Sequence, residues 1–236
     1  MSLTSLPSAS AIIALHDRCL TTDGWPQQLP GGDTKQPVAQ PASPWPWIAA
    51  NHRFNSQLWA EEDLARRTTV EPAEIAANKR AIDGFNQARN DATERVDELL
   101  LIALGLVDAA SARTDAPVST VAAGARLNSE TAGSIVDRMS IMALKCHAMR
   151  LQTLRADVDA AHLAASQARL ARLQQQRADL GDCLDALLAD AQAGRAYFKV
   201  YRQFKMYNDA RFNPVLVAEL APLASGAADP TEATAS

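Results

Sequence analysis

Between Trp47 and Asn213 the chain carries only two of its 12 prolines, Pro72 and Pro117. Proline is the strongest breaker of helix interiors, so a tract this long and this poor in it is open to long helices. The apolar residues agree: 47 Ala and 26 Leu stand against 19 Val and Ile together, the balance of a helical protein rather than a sheet. Hydrophobic residues make up 47% of the 236 positions, enough for one sizeable core. The sequence predicts an all-α fold, an antiparallel bundle of five or six long helices with a Pro-rich N-terminal loop.

The spacing places a first helix over about 8–20 and a second over 47–67, stopped at Thr68-Thr69. A third begins at Glu71-Pro72, with Pro in a tolerated first-turn position and Glu74 near the positive end of the dipole, and continues to about Ala110. A fourth runs from about Asn128 to Arg155, a fifth from Ala160 to Ala193 before Gly194, and a last from Arg195 to Asn208. Six prolines crowd between Pro26 and Pro46 beside Gly24, Gly31 and Gly32, so residues 21–46 read as an extended loop held down by Trp25, Trp45 and Trp47. Residues 1–224 are expected to form a single helical domain and 225–236 a disordered tail. No strand alternation of useful length and no internal repeat is visible. Leu163, Leu170, Leu173, Leu180, Leu184 and Leu187 repeat at near-heptad spacing, which suits an internal core seam or pairing with a second copy in a homo-oligomer.

Several classes are set aside. Lys plus Arg (23) and Asp plus Glu (27) nearly cancel, so nothing draws the chain to nucleic acid. The longest apolar run, Leu99 to Val107, is half of a membrane span. The N-terminus lacks a basic region and its apolar stretch stops at His16-Asp17-Arg18, which is no signal peptide. Cys19, Cys146 and Cys183 have no CxxC spacing; they read as small buried hydrophobes in a reducing, cytoplasmic setting. Walker, GxGxxG, GxSxG and HExxH motifs are absent, and paired Glu-x-x-His motifs of a ferritin-like site are missing; Asp159-x-x-His162 has no mate. His147 and Cys146 are adjacent on a helix and diverge, so they belong to the core rather than to a dyad.

What remains is polar residues in unusual places. On the third helix Lys79, Asp83, Asn86, Asn90, Glu94 and Asp97 share a wedge about 80° wide. A solvated face is the plain reading, but Asp and Asn are costly there, about 0.5 kcal/mol each relative to Ala, so Asx side chains also suit fixed ligands or a packed polar network. On the second helix Asn51, Asn55, Glu62 and Arg66 align with Trp59 among them, a ring placed either to stack on a sugar or to cover the edge of the core. Glu61, Glu62 and Asp63 fan out too widely to serve one site together. On the fourth helix Asp137 shares a face with Ile141 and Leu144, and needs a partner if buried, with Arg66 and Arg202 as candidate cations. Arg138 aligns with Lys145. On the last predicted helix Tyr197, Tyr201, Lys205 and Asn208 are flanked by Arg195, Lys199 and Arg202, a set that could grip a phosphate or simply form a basic outer face.

One enzymatic pattern is present. Glu61-Glu62 followed by Glu94-Arg95-Val96-Asp97 resembles the carboxylates with which all-α nucleoside triphosphate pyrophosphohydrolases hold Mg²⁺, and that resemblance implies Glu62, Glu94 and Asp97 as metal ligands. The chain departs from the pattern at Ala65, where those enzymes carry a further Glu.

Four strings, Asn51–Arg66 (NHRFNSQLWAEEDLAR), Lys79–Asp91 (KRAIDGFNQARND), Asn128–Ile141 (NSETAGSIVDRMSI) and Tyr201–Pro214 (YRQFKMYNDARFNP), resemble an uncharacterised bacterial domain-of-unknown-function family with LWxEEDxAR, NQxRND, SETxGSIxDR and KMYND signatures. The resemblance spans about 47–214. It implies a cytoplasmic bacterial protein, in a family tending to be encoded near glycosyltransferases of envelope polysaccharide assembly, and brings no activity with it. It carries over Asn55, Trp59, Glu62, Asp63, Arg66, Lys79, Asp83, Asn90, Asp91, Asp137, Arg138, Tyr201, Lys205, Asn208 and Asp209, to which Arg202 is added from the basic set. The expectation is a polar interior cleft recognising a small phosphorylated or sugar-nucleotide ligand, with no certain cofactor. A Mg²⁺-dependent pyrophosphohydrolase and a non-catalytic scaffold partner of a glycosyltransferase stand as the alternatives.

Overall fold

The computed structural model describes residues 6–27, 43–203 and 211–225. Among them are six α-helices, one 3₁₀ turn and two two-residue strands, so the fold is an all-α bundle. The chain divides into two units, residues 1–201 and 202–236.

The first unit holds five helices, each with a start or stop legible in local chemistry. α1 (Ala9–Leu20) opens at Ser8, whose Oγ accepts the Ala11 N–H. α2 (Trp45–Leu64) carries Pro46 in its first turn, and α3 (Pro72–Ala103) starts on Pro72, where the missing N–H costs nothing. α4 (Ala132–Thr153) is capped by Thr131, which accepts the Ser134 N–H at 3.1 Å. α5 (Ala160–Gln192) is capped by Asp159, which accepts the His162 N–H at 2.7 Å, and is followed by Gly194 at φ +70°.

α2 packs along α3 and α4 along α5, while α4 also touches α1, α2 and α3. The core follows that arrangement: Ile12 of α1, Ile48 of α2, Leu100 of α3, Met139 of α4 and Leu184 of α5 are all fully buried. α5 contributes Leu184, Leu187 and Leu188 to this core, with Leu180 packed against it. Its leucine seam is thus occupied from within the chain over that stretch.

Several expected boundaries move. α3 stops at Ala103, before Gly105 at φ +69°, rather than at Ala110. α4 starts at Ala132 rather than Asn128, since residues 126 and 127 form β1 (Arg126–Leu127). The largest correction is the last predicted helix. Ala196–Tyr197 is β2, paired in parallel with β1, and the segment runs on extended with Ala196, Phe198 and Val200 buried and Lys199 and Tyr201 exposed. That alternation has the period of two of a half-buried strand, which overrides the wheel reading. Cys183 is exposed, whereas Cys19 and Cys146 are buried as expected.

The second unit contains α6 (Pro214–Ser225), a helix not expected from the sequence; Val215 and Val217 on it are exposed, and just before it the Arg211 guanidinium lies 5.5 Å from the Phe212 ring centroid. Most of the Pro-rich loop (28–42) and the tail 226–236 lie outside the described residues. No described helix is long and apolar enough to cross a membrane.

Candidate functional site

α2 turns a polar rather than an apolar edge toward α4: Asn51, His52, Asn55 and Ser56 are buried, while Phe54 is only half-buried. The reason is the carboxylate of Asp137. Asn51 Nδ2 and Asn55 Nδ2 each donate to its Oδ1 at 2.8 Å. Asn51 Nδ2 also reaches Thr93 Oγ1 at 3.0 Å, and Asn55 Nδ2 reaches Ser140 Oγ at 3.0 Å. Asp137 Oδ2 is turned to Arg89, with 4.0 Å to Nε. A carboxylate withdrawn from water needs such partners, and here two amides and one guanidinium supply them. The cation is Arg89, not the expected Arg66, which forms an exposed pair with Glu62 at 3.1 Å; Arg202 falls in the second unit.

Beside this seam, α2, α3 and α4 enclose a cavity of about 320 Å³. Its lining includes Asn55, Trp59, Glu62 and Asp63 of α2, Arg66 just after it and Asn86 of α3, all singled out from the sequence, together with Arg89 of α3. Leu58, Ile141 and Leu144 give it an apolar floor. Glu62 and Asp63 do share this site, whereas Glu61 turns away to accept from Asn78 Nδ2 at 2.7 Å. Two acids and two guanidinium groups balance, so the cleft is polar and aromatic without being strongly cationic. Such a lining suits a ligand that offers hydroxyl groups and a ring face along with negative charge.

Other expected site residues lie elsewhere. Lys79 and Asp83 form an exposed pair at 2.6 Å one turn apart on α3, and exposed Asp91 accepts from Gln87 Nε2. Asn90 is buried and takes a hydrogen bond from Arg89 Nη2 at 3.1 Å. Arg138 pairs with Glu130 and lines a second cavity of about 620 Å³ between α4 and α5, with Lys145 and Cys183. Tyr201 is exposed at the end of the first unit. Lys205, Asn208 and Asp209 lie outside the described residues.

The Mg²⁺ set does not assemble. Glu62 lines the cleft, while Asp97 is buried and accepts the Gly133 N–H at 2.6 Å. Among the described residues no three His, Cys, Asp or Glu side chains gather as a metal site. Burial raises the Asp97 carboxyl to about 7, only partly offset by hydrogen bonds from Thr131 and Gly133.

Sequence reasoning missed two features. Arg89 falls about 60° outside the α3 wedge, although it lies within the string Lys79–Asp91. Behind Asn55, the rings of His16, His52 and Trp25 stack at centroid distances of 4.4 and 5.3 Å, with His52 Nδ1 on Ser140 Oγ at 2.8 Å and Trp25 Nε1 donating to Ser56 Oγ at 3.0 Å. Burial lowers both imidazoles, His52 to about 3. The stack ties α1 and the turn after it to α2, and so fixes the back of the seam.

The chain belongs to the family described as "Protein of unknown function (DUF4254)", whose model matches residues 45–200. That match runs from the first residue of α2 to just beyond β2 and contains every residue of the cleft. No curated protein and no solved structure matches the chain.

Proposed function

We propose that this protein binds a small phosphorylated or sugar-nucleotide ligand in the cleft between α2, α3 and α4. The observation that carries the reading is the gathering of Asn55, Trp59, Glu62, Asp63, Arg66, Asn86 and Arg89 around one cavity with an apolar floor. Trp59 offers a face for a base or sugar ring, the carboxylates and amides accept from and donate to hydroxyls, and Arg66 and Arg89 supply the positive charge that a phosphate needs. The envelope-polysaccharide setting implied by the sequence resemblance is consistent with a sugar nucleotide. The test is thermal unfolding of the full chain with nucleotide sugars, sugar phosphates and free nucleotides, each with and without Mg²⁺. A ligand present at a hundred times its dissociation constant adds about 2.7 kcal/mol. The expected result is a shift with a phosphorylated ligand that does not require metal. A shift strictly dependent on Mg²⁺, with release of pyrophosphate, would instead establish the hydrolase alternative. No shift with any ligand, together with co-purification of a glycosyltransferase, would replace the binding reading with the scaffold one.

A further inference from the structure

Of the asparagines on α2 and α3, Asn86 alone has a side chain that bonds to nothing among the described residues. The others are tied within the chain: Asn51 and Asn55 each donate to Asp137 Oδ1 at 2.8 Å, Asn78 Nδ2 donates to Glu61 at 2.7 Å, and Asn90 Oδ1 accepts from Arg89 Nη2 at 3.1 Å. Asn86 is half-buried, lines the cleft and has no such partner. Asn is a poor helix former in a helix interior, and a half-buried amide gives up hydration as well. Nothing inside the chain offsets either cost.

The rest of the lining says what kind of group this amide meets. Leu58 and Trp59 of α2 and Ile141 and Leu144 of α4 bring apolar surface to the cavity from two helices, while Asn86 comes from α3. A nucleobase is a flat ring, apolar on both faces and polar at its edge. A hexose can lay one C–H face on an aromatic ring, but its remaining hydroxyls would lose hydration against Leu58, Ile141 or Leu144. A primary amide holds an acceptor and a donor side by side in one plane. That is the complement of the donor and acceptor that adjoin on a base edge, such as N6–H and N7 of adenine. We infer that the cleft holds a nucleobase, stacked on Trp59 and read at its edge by Asn86, so that the ligand is a nucleotide or a sugar nucleotide. The inference rests on the cleft reading above and narrows it, setting simple sugar phosphates aside.

The test measures binding to the full chain by calorimetry, with AMP, GMP, CMP and UMP beside ribose 5-phosphate, which keeps the sugar and phosphate and lacks the base, and glucose 1-phosphate. Stacking on Trp59 should let at least one nucleotide bind about ten- to hundredfold more tightly than ribose 5-phosphate. Asn86→Leu, apolar and of similar size, should narrow that gap about tenfold, the worth of two neutral hydrogen bonds, and Asn86→Ala should do the same. Neither variant loses a hydrogen bond within the chain, so both should melt at or above the wild-type temperature. Ribose 5-phosphate or glucose 1-phosphate binding as tightly as all four nucleotides would overturn the inference and leave the cleft reading standing. A gap unchanged in both variants would overturn the assignment of Asn86 as the edge reader, since a residue that only shapes the cleft weakens every ligand alike. No binding of any compound would overturn both readings.

Discussion

The backbone N–H of Gly133 donates to Asp97 Oδ1 at 2.6 Å, so a carboxylate from α3 satisfies the first turn of α4 from across the helix interface. Thr131 takes the neighbouring Ser134 N–H, and together the two side chains meet donors that a helix start leaves unpaired. A glycine is required because a Cβ at position 133 would stand 2.6 Å from the Thr93 carbonyl oxygen and 2.9 Å from Asp97 Cγ. The approach that sets this end of α4 also sets where Asp137, one turn further on, meets α2 and α3.

Gly133→Ala therefore forces α3 and α4 apart. The expected cost is about 2–3 kcal/mol, in the range of core overpacking, and urea unfolding of the variant against wild type measures it. A loss below about 0.5 kcal/mol would mean that the helices separate there without penalty.

Asp97 gives an unusual pH dependence. Its folded-state value of about 7 lies above the ordinary 3.8, so between those limits the folded chain holds a proton that the unfolded chain releases. Stability from this group is full below about pH 4 and declines as pH rises, at up to about 1.4 kcal/mol per pH unit, levelling off above 7. Asp97→Asn keeps an acceptor for Gly133 and abolishes the titration. Relative to wild type the variant should gain stability from pH 4.5 to about pH 7 and level off above it; a constant difference from pH 4.5 upward would show that Asp97 is ionised throughout.

The elements were largely visible in the sequence because their stops are chemical: Ser8, Pro72, Asp159, Gly194 and the polar runs between them mark helix ends directly. The cleft was visible in part for a similar reason. Asn51 and Asn55 are poor choices for a helix interior unless something holds them, and Asp137 does. The Lys79–Asp83 end of the α3 wedge looked alike and is a solvated pair, since a helical wheel encodes direction around one helix and not which neighbour covers it along its length. Arg89 was missed because its role is set by a carboxylate 48 positions away. The segment AYFKVY was misread because its aromatic and charged residues satisfy a helical wheel, while the parallel pairing to Arg126–Leu127 that decides its conformation is long-range.

His52 works in the opposite sense to Asp97. Burial holds its imidazole at about 3, below the ordinary 6.5, so in that window the unfolded chain takes up a proton that the folded one refuses. Stability present above pH 6.5 is therefore lost as pH falls toward 3, and His16 adds to the effect in the same direction. His52→Phe retains a ring between His16 and Trp25 but does not titrate; its unfolding free energy should fall less between pH 6.5 and 4 than that of wild type. Equal acid sensitivity in the two proteins would place the acid-labile group elsewhere.

Trp59 is half-buried at the cleft and contributes little to the core, so Trp59→Leu should lower the melting temperature by only a few degrees, on the order of 1 kcal/mol. Loss of the ring face should weaken ligand binding about tenfold, the size of an aromatic contact of 1–1.5 kcal/mol. Calorimetry with the ligand identified by thermal shift checks the second number, and unchanged affinity would remove Trp59 from the site.

The most direct test of the cleft itself is hydrogen–deuterium exchange of the full chain with and without that ligand. The account predicts added protection confined to the segments around 55–66 of α2, 86–89 of α3 and 141–144 of α4, with the α5 wall of the second cavity, 176–183, unchanged. Protection centred on α5 and the Arg138–Lys145 face of α4 instead, with the α2 and α3 segments exchanging as before, would contradict it.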